Sequence, residues 1–337
     1  MMGQSNMLGM GSVGTLSAPT KNSLANAVAV EGKYPYLYNK ATKNWTTSKT
    51  VRNVFVQDSG GIHSKYPARV ATNQWMQGPN PRGSIGPELG IGGMLERASP
   101  TTPYMMVKSC TGDRALGWDL LPPGTNRSTF VATSGTVWTY AGYHDSPMKW
   151  IANQTQPPPI AWYAGLQYDG DIYRANSVLS NLSSYYPSTP PQKCYEVAGF
   201  FWWQGDKDSR DMGLSTHYEK NLVALIKQLR VQYDAPKAKF VTASLGQTVK
   251  PGTIDSDANA RSKRPDGGGI ILQAMLNVAN ASKYPEFDGN VAAVYTHPLV
   301  AGPGASGSHY GHNAETYMNV GETMGTAMVK LLKPDMP

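Results

Sequence analysis

The chain has 337 residues, of which 40% are hydrophobic, 10% aromatic and only 16% charged. This composition supports a large folded core and excludes an intrinsically disordered chain, and no run approaches the ~20 apolar residues of a membrane-spanning helix. The net charge of +7 is dispersed, and the densest basic run, residues 261–264, lies among acidic residues. No recognition-helix or RNA-binding pattern accompanies it, so we expect no nucleic-acid partner.

Short apolar, β-branched and aromatic runs alternate with amphipathic windows along the chain. The predicted strands are residues 51–56, 104–108, 197–203, 239–245 and 291–296, and the predicted helices are residues 172–182, 218–229 and 314–332. This alternation predicts the α/β class, with a central parallel sheet between two layers of helices. No repeat or linker divides the chain, so we expect a single domain over residues 1–337.

Residues 121–166 form a long aromatic-rich insertion between predicted elements. Its aromatic residues surround three consecutive prolines, and they are Trp138, Tyr140, Tyr143, Trp150, Trp162 and Tyr163. Loops of this length are often lids or binding loops, but they also serve as surface braces that pack their own aromatic side chains. The sequence leaves both interpretations open.

The two cysteines, Cys110 and Cys194, cannot form a disulfide framework. A single bridge stays open, and two buried thiols at strand ends are the simpler interpretation. The histidines lack metal-ligand spacing and no paired-cysteine motif occurs, so we expect neither a metal nor another cofactor. Five sequons, at Asn44, Asn126, Asn153, Asn181 and Asn280, are compatible with a secreted glycoprotein.

Three motifs carry residues suited to ester chemistry. Ser5 lies in the glycine-flanked sequence Gly-Gln-Ser-Asn-Met-Leu-Gly, where its hydroxyl and backbone N–H can both face a substrate. Gln204 follows a predicted strand and offers an amide donor, with two acids close behind it. His309 precedes the last predicted helix and can act there as a general base. The carboxyl ends of the strands in an open α/β sheet bring such residues together.

Together the three motifs resemble the SGNH hydrolase superfamily, and within it the carbohydrate acetylesterase branch of sialate O-acetylesterases and acetylxylan esterases. Trp203, Gln204, Gly205 and Asp208 match the middle family block, with Asp206 where many relatives carry Glu. The resemblance spans residues 3 to 330 and implies a flavodoxin-like three-layer α/β/α sandwich. It also implies a serine esterase that hydrolyses O-acetyl groups from a carbohydrate through an acyl-enzyme.

The family pattern implies a role for each matching residue. Ser5 would be the nucleophile and His309 the general base. The oxyanion hole would combine the backbone N–H groups of Ser5 and Gly112 with the side-chain amide of Gln204. Relatives usually carry Gly-Gly-Thr around the second of these donors, and this chain has Gly112 followed by Asp113 and Arg114.

The triad acid and the histidine have rivals in the sequence. Many relatives place Asp three residues before the histidine, but Ser306 stands there. The resemblance therefore points to Asp206 as the acid, with Asp208 as the second choice. His312 is the alternative to His309. No Gly-x-Ser-x-Gly elbow occurs, which disfavours an α/β-hydrolase.

The predicted substrate contacts are Glu88, Arg114 and Trp203. Glu88 lies in a Gly-Pro-Glu sequence that resembles another family block at the start of a helix. Arg114 would contact an acidic group of the substrate, although a salt bridge to Asp113 or Asp119 is a simpler role for it.

In the family a hydrophobic strand of about five residues precedes the nucleophile, whereas only four residues precede Ser5 here. An unpaired slot in the sheet would be costly, so we expect a longer protein whose first strand and signal peptide lie upstream. The leading hypothesis is a secreted esterase with an acetylated carbohydrate as its partner. The alternative is a catalytically idle glycan-binding or structural domain of a larger assembly. A lipase of the same superfamily lacks an apolar lid segment to support it.

Overall fold

The computed structural model describes residues 1–58, 66, 68–188, 194–250, 267–302 and 307–333. The basic run at 261–264 and Ser306 lie outside the described residues. The described strands are β1 Met2–Gly3, β2 Gly11–Ser12, β3 Tyr38–Asn39, β4 Asn44–Trp45, β5 Val51–Asp58, β6 Ala68–Trp75, β7 Ser84–Ile85, β8 Tyr104–Lys108, β9 Ser128–Val131, β10 Val137–Tyr140, β11 Lys149–Ile151, β12 Gly199–Trp203, β13 Lys239–Ala243 and β14 Val291–Val294.

The described helices lie mainly between these strands. They are α1 Ser5–Leu8, α2 Leu24–Ala29, α3 Glu88–Ala98, α4 Leu166–Leu179, α5 Leu182–Tyr185, α6 Asp206–Ser209, α7 Met212–Gln232, α8 Gly268–Val278 and α9 Ala314–Leu332. A short 3₁₀ turn, Ser308–His312, precedes α9. No helix of the described residues is both long and apolar enough to cross a membrane.

The central sheet is built from two groups of strands that meet at the start of the chain. β5 pairs with β8 in parallel, and β6 adds to β5 in antiparallel fashion. β1, β12, β13 and β14 pair in parallel in that order. Met1 joins the groups, since its nitrogen donates to the Val107 carbonyl at 2.7 Å and its own carbonyl accepts from the Ser109 N–H at 3.1 Å.

The resulting order is β6-β5-β8-β1-β12-β13-β14, and the parallel sheet between helical layers confirms the predicted fold class. Numbered along the chain, the parallel strands run 2-3-1-4-5-6, whereas the flavodoxin order is 2-1-3-4-5. The difference is that β8, the third parallel strand along the chain, lies between β5 and β1. The first strand is present as two residues, and Gly3 is needed in it because a Cβ there would lie 2.3 Å from the Trp203 carbonyl oxygen.

Apolar side chains cover both faces of the sheet. On one face α2, α3 and α9 pack over a core that includes Phe201 and Trp203. On the other, α4, α7 and α8 pack over a core that includes Phe200 and Trp202. Successive residues of a strand point to opposite faces, so this four-residue aromatic run of β12 is buried from both sides.

The predicted central elements agree well with the observed ones. β8 and α9 have the predicted bounds, whereas α4 begins six residues before the predicted helix at 172 and ends at Leu179. The sequence analysis missed the edge strand β6 and helix α8. The insertion at 121–166 is a small antiparallel sheet, β9-β10-β11, over a separate core that includes Tyr140 and Trp150. These two aromatic side chains act as braces.

Candidate active site

Ser5 is the first residue of α1 and follows β1 directly. The preceding residue, Gln4, caps this helix in an extended conformation, and the turn closes with a hydrogen bond from the Gly9 N–H to the Ser5 carbonyl at 3.0 Å. Ser5 is half-buried, while Gln4 and Asn6 on either side of it are buried. The serine therefore lies at the carboxyl edge of the sheet with its neighbours fixed by the core.

Gly112 lies beside Ser5, as the prediction of a backbone oxyanion donor requires. A Cβ built on Gly112 would be 3.7 Å from the Cβ of Ser5. The loop after β8 thus passes next to the serine, and the glycine keeps the space over it open. The use of the Gly112 N–H as a donor stays a prediction.

Gln4, Gln204 and Asp208 form a buried polar network behind the serine. The Gln204 amide nitrogen lies 2.8 Å from the Arg114 carbonyl, 3.1 Å from Gln4 Oε1 and 2.6 Å from Asp208 Oδ2. Gln4 Oε1 also lies 3.3 Å from the Lys207 N–H, which orients this amide. All three network side chains are almost completely inaccessible to solvent. These hydrogen bonds connect the turn that bears Ser5 to the loops after β8 and β12.

This network bears directly on the predicted oxyanion role of Gln204. A glutamine amide has two hydrogens, and Gln204 already has three protein acceptors within reach. Its carbonyl oxygen in turn accepts from the Tyr218 hydroxyl at 2.9 Å. Gln204 would have to release one protein contact before it could donate to an oxyanion.

Asp208 is a structural acceptor in this site. Its carboxylate accepts from the Leu116 N–H at 2.8 Å, from the Gly117 N–H at 2.9 Å and from the Gln204 amide. Burial raises the pKa of Asp208 to about 6, although these three donors pull the pKa down. The carboxylate therefore organises the loop after β8.

Asp206, the first choice for the triad acid, begins α6 and forms an ion pair with Arg210 one turn later. Its side chain is 19% exposed, so it lies closer to the surface than Asp208. Arg210 also reaches Asp113 at 3.4 Å, which links this acid to the loop that contains Gly112. The structure thus leaves the assignment of Asp206 to the triad as a prediction.

His309 is half-buried in the 3₁₀ turn before α9, in the left-handed backbone region with φ of 54°. The next residue, Tyr310, is completely buried and stacks on Trp203 with ring centroids 5.9 Å apart. The Tyr310 hydroxyl accepts from the side-chain amide of Asn6 at 3.1 Å and from the Gly246 N–H at 3.1 Å. Tyr310 therefore fastens the histidine turn to α1, next to Ser5.

The alternative base, His312, lies on the outside of the same turn. It is exposed, and its Nδ1 lies 2.9 Å from the Met10 carbonyl oxygen. Its ring centroid is 6.1 Å from that of His309. The two histidines are thus neighbours, and His309 is the more enclosed of the two.

Two predicted substrate contacts are corrected by their burial. Glu88 forms an ion pair with Lys108 at 2.9 Å, with both side chains less than 5% exposed, and it also accepts from the Gly86 N–H. Trp203 is 0% exposed and donates its indole N–H to the Ser244 carbonyl. A buried brace below α1 and a core aromatic residue cannot touch a bound carbohydrate.

Arg114 differs from these two because it is half-buried at the edge of the site. Its guanidinium lies 4.7 Å from the ring centroid of Trp162, and its Nε donates to Gln167 Oε1 at 3.3 Å. The acids considered as its partners have other contacts, since Asp113 pairs with Lys207 and Asp119 accepts from the Ala115 N–H. Arg114 therefore rests on an aromatic ring of the insertion.

The sequence analysis missed the residues that hold the site together. Gln4 and Asn6 flank the serine in the first motif, so their position next to it was visible, but not their partners. Lys108 supports α1 from below, since it donates to the Leu8 carbonyl at 3.1 Å. A lysine at the end of an apolar strand, with a glutamate 20 residues before it, was the only signal for the buried pair.

Neither cysteine is in a disulfide, which settles the bridge left open by the sequence. Cys110 is buried, and burial raises the pKa of its thiol to about 12. Cys194 is exposed, against the expectation of two buried thiols. Within the described ranges, no group of three or more His, Cys, Asp or Glu residues could hold a metal ion.

An α/β/α sandwich with a serine and a histidine at the carboxyl edge of its sheet is typical of serine hydrolases. A family model described as carbohydrate esterase, sialic acid-specific acetylesterase, matches residues 161–329, half of the chain. The chain belongs to this family, and it is an enzyme of the carbohydrate O-acetylesterase class. The resemblance drawn from the three motifs is thereby confirmed.

Similar solved structures include a protein from Arabidopsis thaliana, with 12% identity, a TM-score of 0.49 and coverage of 98% of this chain and 95% of that chain. XAC1771, a carbohydrate acetylesterase from Xanthomonas citri, has 16% identity and a TM-score of 0.49, and the match covers 100% of this chain but 56% of that one. NanS has 12% identity, a TM-score of 0.41 and coverage of 90% and 77%. No curated protein matches the chain.

Proposed function

We propose that this chain hydrolyses O-acetyl groups of a carbohydrate with Ser5 as nucleophile and His309 as general base. The Ser5 hydroxyl attacks the acetyl carbonyl while His309 takes its proton. The sugar leaves as an alcohol when His309 returns that proton, and an acetyl-serine stays behind. A water molecule activated by the same histidine then releases acetate and restores the serine.

The observation that carries this proposal is the convergence of three loops around Ser5. A Cβ placed on Gly112 would lie 3.7 Å from the Cβ of Ser5, and the hydrogen bond between Asn6 and Tyr310 ties the histidine turn to the serine helix. We expect the Ser5 and Gly112 N–H groups to stabilise the oxyanion. Gln204 would join them only by exchanging one of its protein acceptors for the substrate.

The third member of the proposed mechanism is an acid that orients the histidine. We propose that Asp206 orients His309 and that Asp208 acts through the loop that it holds. Asp206→Asn should then lower kcat for acetate release with little change in the unfolding midpoint. If Asp206→Asn keeps full kcat, the enzyme works as a Ser-His dyad, which retains slower catalysis.

For the substrate we propose an O-acetylated acidic sugar of the sialate type, with acetylxylan as the alternative. The support is the Arg114 guanidinium, which lies beside the loop of Gly112 and over Trp162. A guanidinium binds a carboxylate with two parallel hydrogen bonds, and the indole ring offers a stacking surface for a sugar. Arg114→Ala should raise KM for an acetylated sialic acid at least tenfold and leave KM for acetylated xylose unchanged. Equal effects on both substrates would overturn the acidic-sugar assignment.

The idle glycan-binding domain is the second candidate. The observation in its favour is the commitment of both Gln204 amide hydrogens to protein acceptors. An idle domain would bind an acetylated glycan without releasing acetate, and Ser5→Ala would leave that binding unchanged.

We also propose that the protein is secreted and glycosylated. All five sequon asparagines, Asn44, Asn126, Asn153, Asn181 and Asn280, are exposed. Exposure is required for a glycan at each site. Expression through a eukaryotic secretory pathway, followed by treatment with a glycosidase that removes N-linked glycans, should lower the apparent mass. An unchanged mass would contradict the glycoprotein proposal.

The function itself is tested by acetate release from acetylated sialic acid and acetylated xylan. We expect wild-type protein to release acetate and His309→Ala to lose at least about a thousandfold in kcat/KM. His312→Ala, the matched control in the same turn, should retain activity within a few fold. A reversed pattern would move the base to His312.

A further inference from the structure

Arg82 lies in a tight turn before β7 that is fastened to the serine helix. The Asn80 side chain closes this turn, since its Oδ1 accepts from the Arg82 N–H at 2.9 Å and its Nδ2 donates to the Ser84 carbonyl at 2.9 Å. The Ser84 hydroxyl in turn donates to the carbonyl of Gly9, the residue after α1, at 3.1 Å. Because α1 begins at Ser5, these hydrogen bonds hold Arg82 on the side of the sheet where the serine lies.

The Arg82 side chain extends over the ring of Phe55, near the end of β5. Its guanidinium carbon lies 4.9 Å from the centroid of this ring, and the Lys108 ammonium lies 4.7 Å from the same centroid. Lys108 also donates to the Leu8 carbonyl of α1. A continuous set of contacts therefore connects Arg82 to the helix that bears Ser5.

The guanidinium of Arg82 has no polar partner among the residues that the structure describes. The side chain is half-buried, and its Nε is buried without an acceptor. Burial lowers the pKa of Arg82, whereas the nearby Cys110 and Glu88 raise it. Glu88 is already paired with Lys108. Buried donors and charges are costly without a partner, so this guanidinium is suited to a bound anion.

A second arginine adds to the positive charge at this place. Arg69 lies on β6 opposite Gln57 of β5, and it donates to the Gln57 side chain at 3.2 Å. It is exposed, and it is close enough to Arg82 to lower the pKa of that residue. Over the described part of the chain, neither arginine forms an ion pair with a carboxylate. Two neighbouring guanidinium groups of this kind favour an anionic ligand.

Arg82 and Arg114 approach the serine from different parts of the fold. Phe55, under Arg82, belongs to the core covered by α3 and α9. Trp162, under Arg114, packs against the separate core of the insertion. A single sugar of the sialate type has one carboxylate, which the proposed function assigns to Arg114. A cation in a second place therefore matches a second acidic sugar.

We propose that Arg82, assisted by Arg69, binds a carboxylate of the sugar next to the acetylated one, so that the substrate is an acidic oligosaccharide. This subsite rests on the proposed esterase function, since it extends the substrate bound at Ser5. A guanidinium donates two parallel hydrogen bonds to the two oxygens of a carboxylate. The closed turn and the Phe55 ring hold Arg82 in place before the substrate arrives, which reduces the entropy lost on binding.

The test is the KM for acetate release from three O-acetylated substrates, which are disialic acid, sialic acid and the neutral disaccharide xylobiose. Arg82→Gln removes the charge. Arg97→Gln is the matched control, because Arg97 also lies over an aromatic ring, that of Tyr36, but near the far end of α3. We expect Arg82→Gln to raise KM for disialic acid at least tenfold and to leave the other two KM values within about twofold. Arg97→Gln should leave all three unchanged.

An unchanged KM for disialic acid in Arg82→Gln would overturn the subsite. A similar rise in KM for all three substrates would also overturn it, since it would show a general effect on the site. Should Arg82→Gln not fold, wild-type protein decides, because the subsite requires a KM for disialic acid at least tenfold below that for sialic acid. Equal values would contradict it.

A binding experiment separates failure of the subsite from failure of the esterase function. If none of the three substrates releases acetate, the esterase proposal fails, and calorimetric titration with disialic acid then tests Arg82 directly. The proteins compared are Ser5→Ala and Ser5→Ala combined with Arg82→Gln. A Kd at least tenfold weaker in the combined variant supports the subsite, whereas equal Kd values or no binding to either protein overturn it.

Discussion

Replacing Asp208 by alanine tests the buried network behind Ser5. The carboxylate accepts three hydrogen bonds at 2.6–2.9 Å and is 0% exposed. Asp208→Ala leaves the N–H groups of Leu116 and Gly117 without an acceptor, and each orphaned buried donor costs about 1–3 kcal/mol. The amide of Gln204 keeps two other acceptors. We therefore expect the free energy of unfolding to fall by about 3–5 kcal/mol.

The matched control is Asp206→Ala, two positions earlier. Its ion-pair partner, Arg210, is 55% exposed, and exposed pairs of this kind contribute about 0–1 kcal/mol. Urea unfolding at pH 7.5, followed by tryptophan fluorescence, measures both variants. A loss of less than 1 kcal/mol for Asp208→Ala would refute the view that this carboxylate holds the loop after β8.

Three further predictions concern pH, the buried ion pair and the histidine turn. Burial raises the pKa of Asp208 to about 6 in the folded protein, from about 3.9 in the unfolded chain, so its contribution to stability falls as the pH rises from about 4 to 6. The unfolding free energies of wild type and Asp208→Ala should therefore converge by up to about 3 kcal/mol as the pH rises across this window. Curves that stay parallel between about pH 4 and 6 would contradict this. Lys108→Met strands the buried charge of Glu88 and should cost about 3–5 kcal/mol in urea unfolding, while a loss below 1 kcal/mol would contradict the pairing. Tyr310→Phe removes the acceptor of Asn6 and should lower kcat at least tenfold with KM within a few fold, whereas wild-type kcat would show that this contact does not position the histidine turn.

The central fold was predictable because buried parallel strands leave a strong apolar signal. The Phe-Phe-Trp-Trp run of β12 and the spacing of apolar residues in α9 specify their elements locally. β6 has an exposed start and a mixed burial pattern, so its sequence does not stand out. The small sheet at 128–151 was not predicted either. Its three strands are short, and they pack on a core that includes Leu214 of α7, which is distant in sequence.

For the candidate site, the sequence predicted which residues lie near one another only where they belong to one of the three motifs or stand next to it. Ser5 at the start of α1, Gly112 and the turn of His309 lie in segments that the sheet brings to one edge. Burial was not predictable in the same way. Glu88 and Trp203 could be placed near the site, but their burial depends on Lys108 and on the stacking of Tyr310, which are contacts between distant parts of the chain.

The most direct measurement is hydrolysis of p-nitrophenyl acetate and of acetylated sialic acid by wild type, Ser5→Ala and Ser12→Ala. Ser12 is a half-buried serine on β2 and serves as the control. We expect Ser5→Ala to lose about a thousandfold or more in kcat/KM, with Tm and Ser12→Ala activity unchanged. Equal rates for wild type and a folded Ser5→Ala would contradict the assignment of the nucleophile.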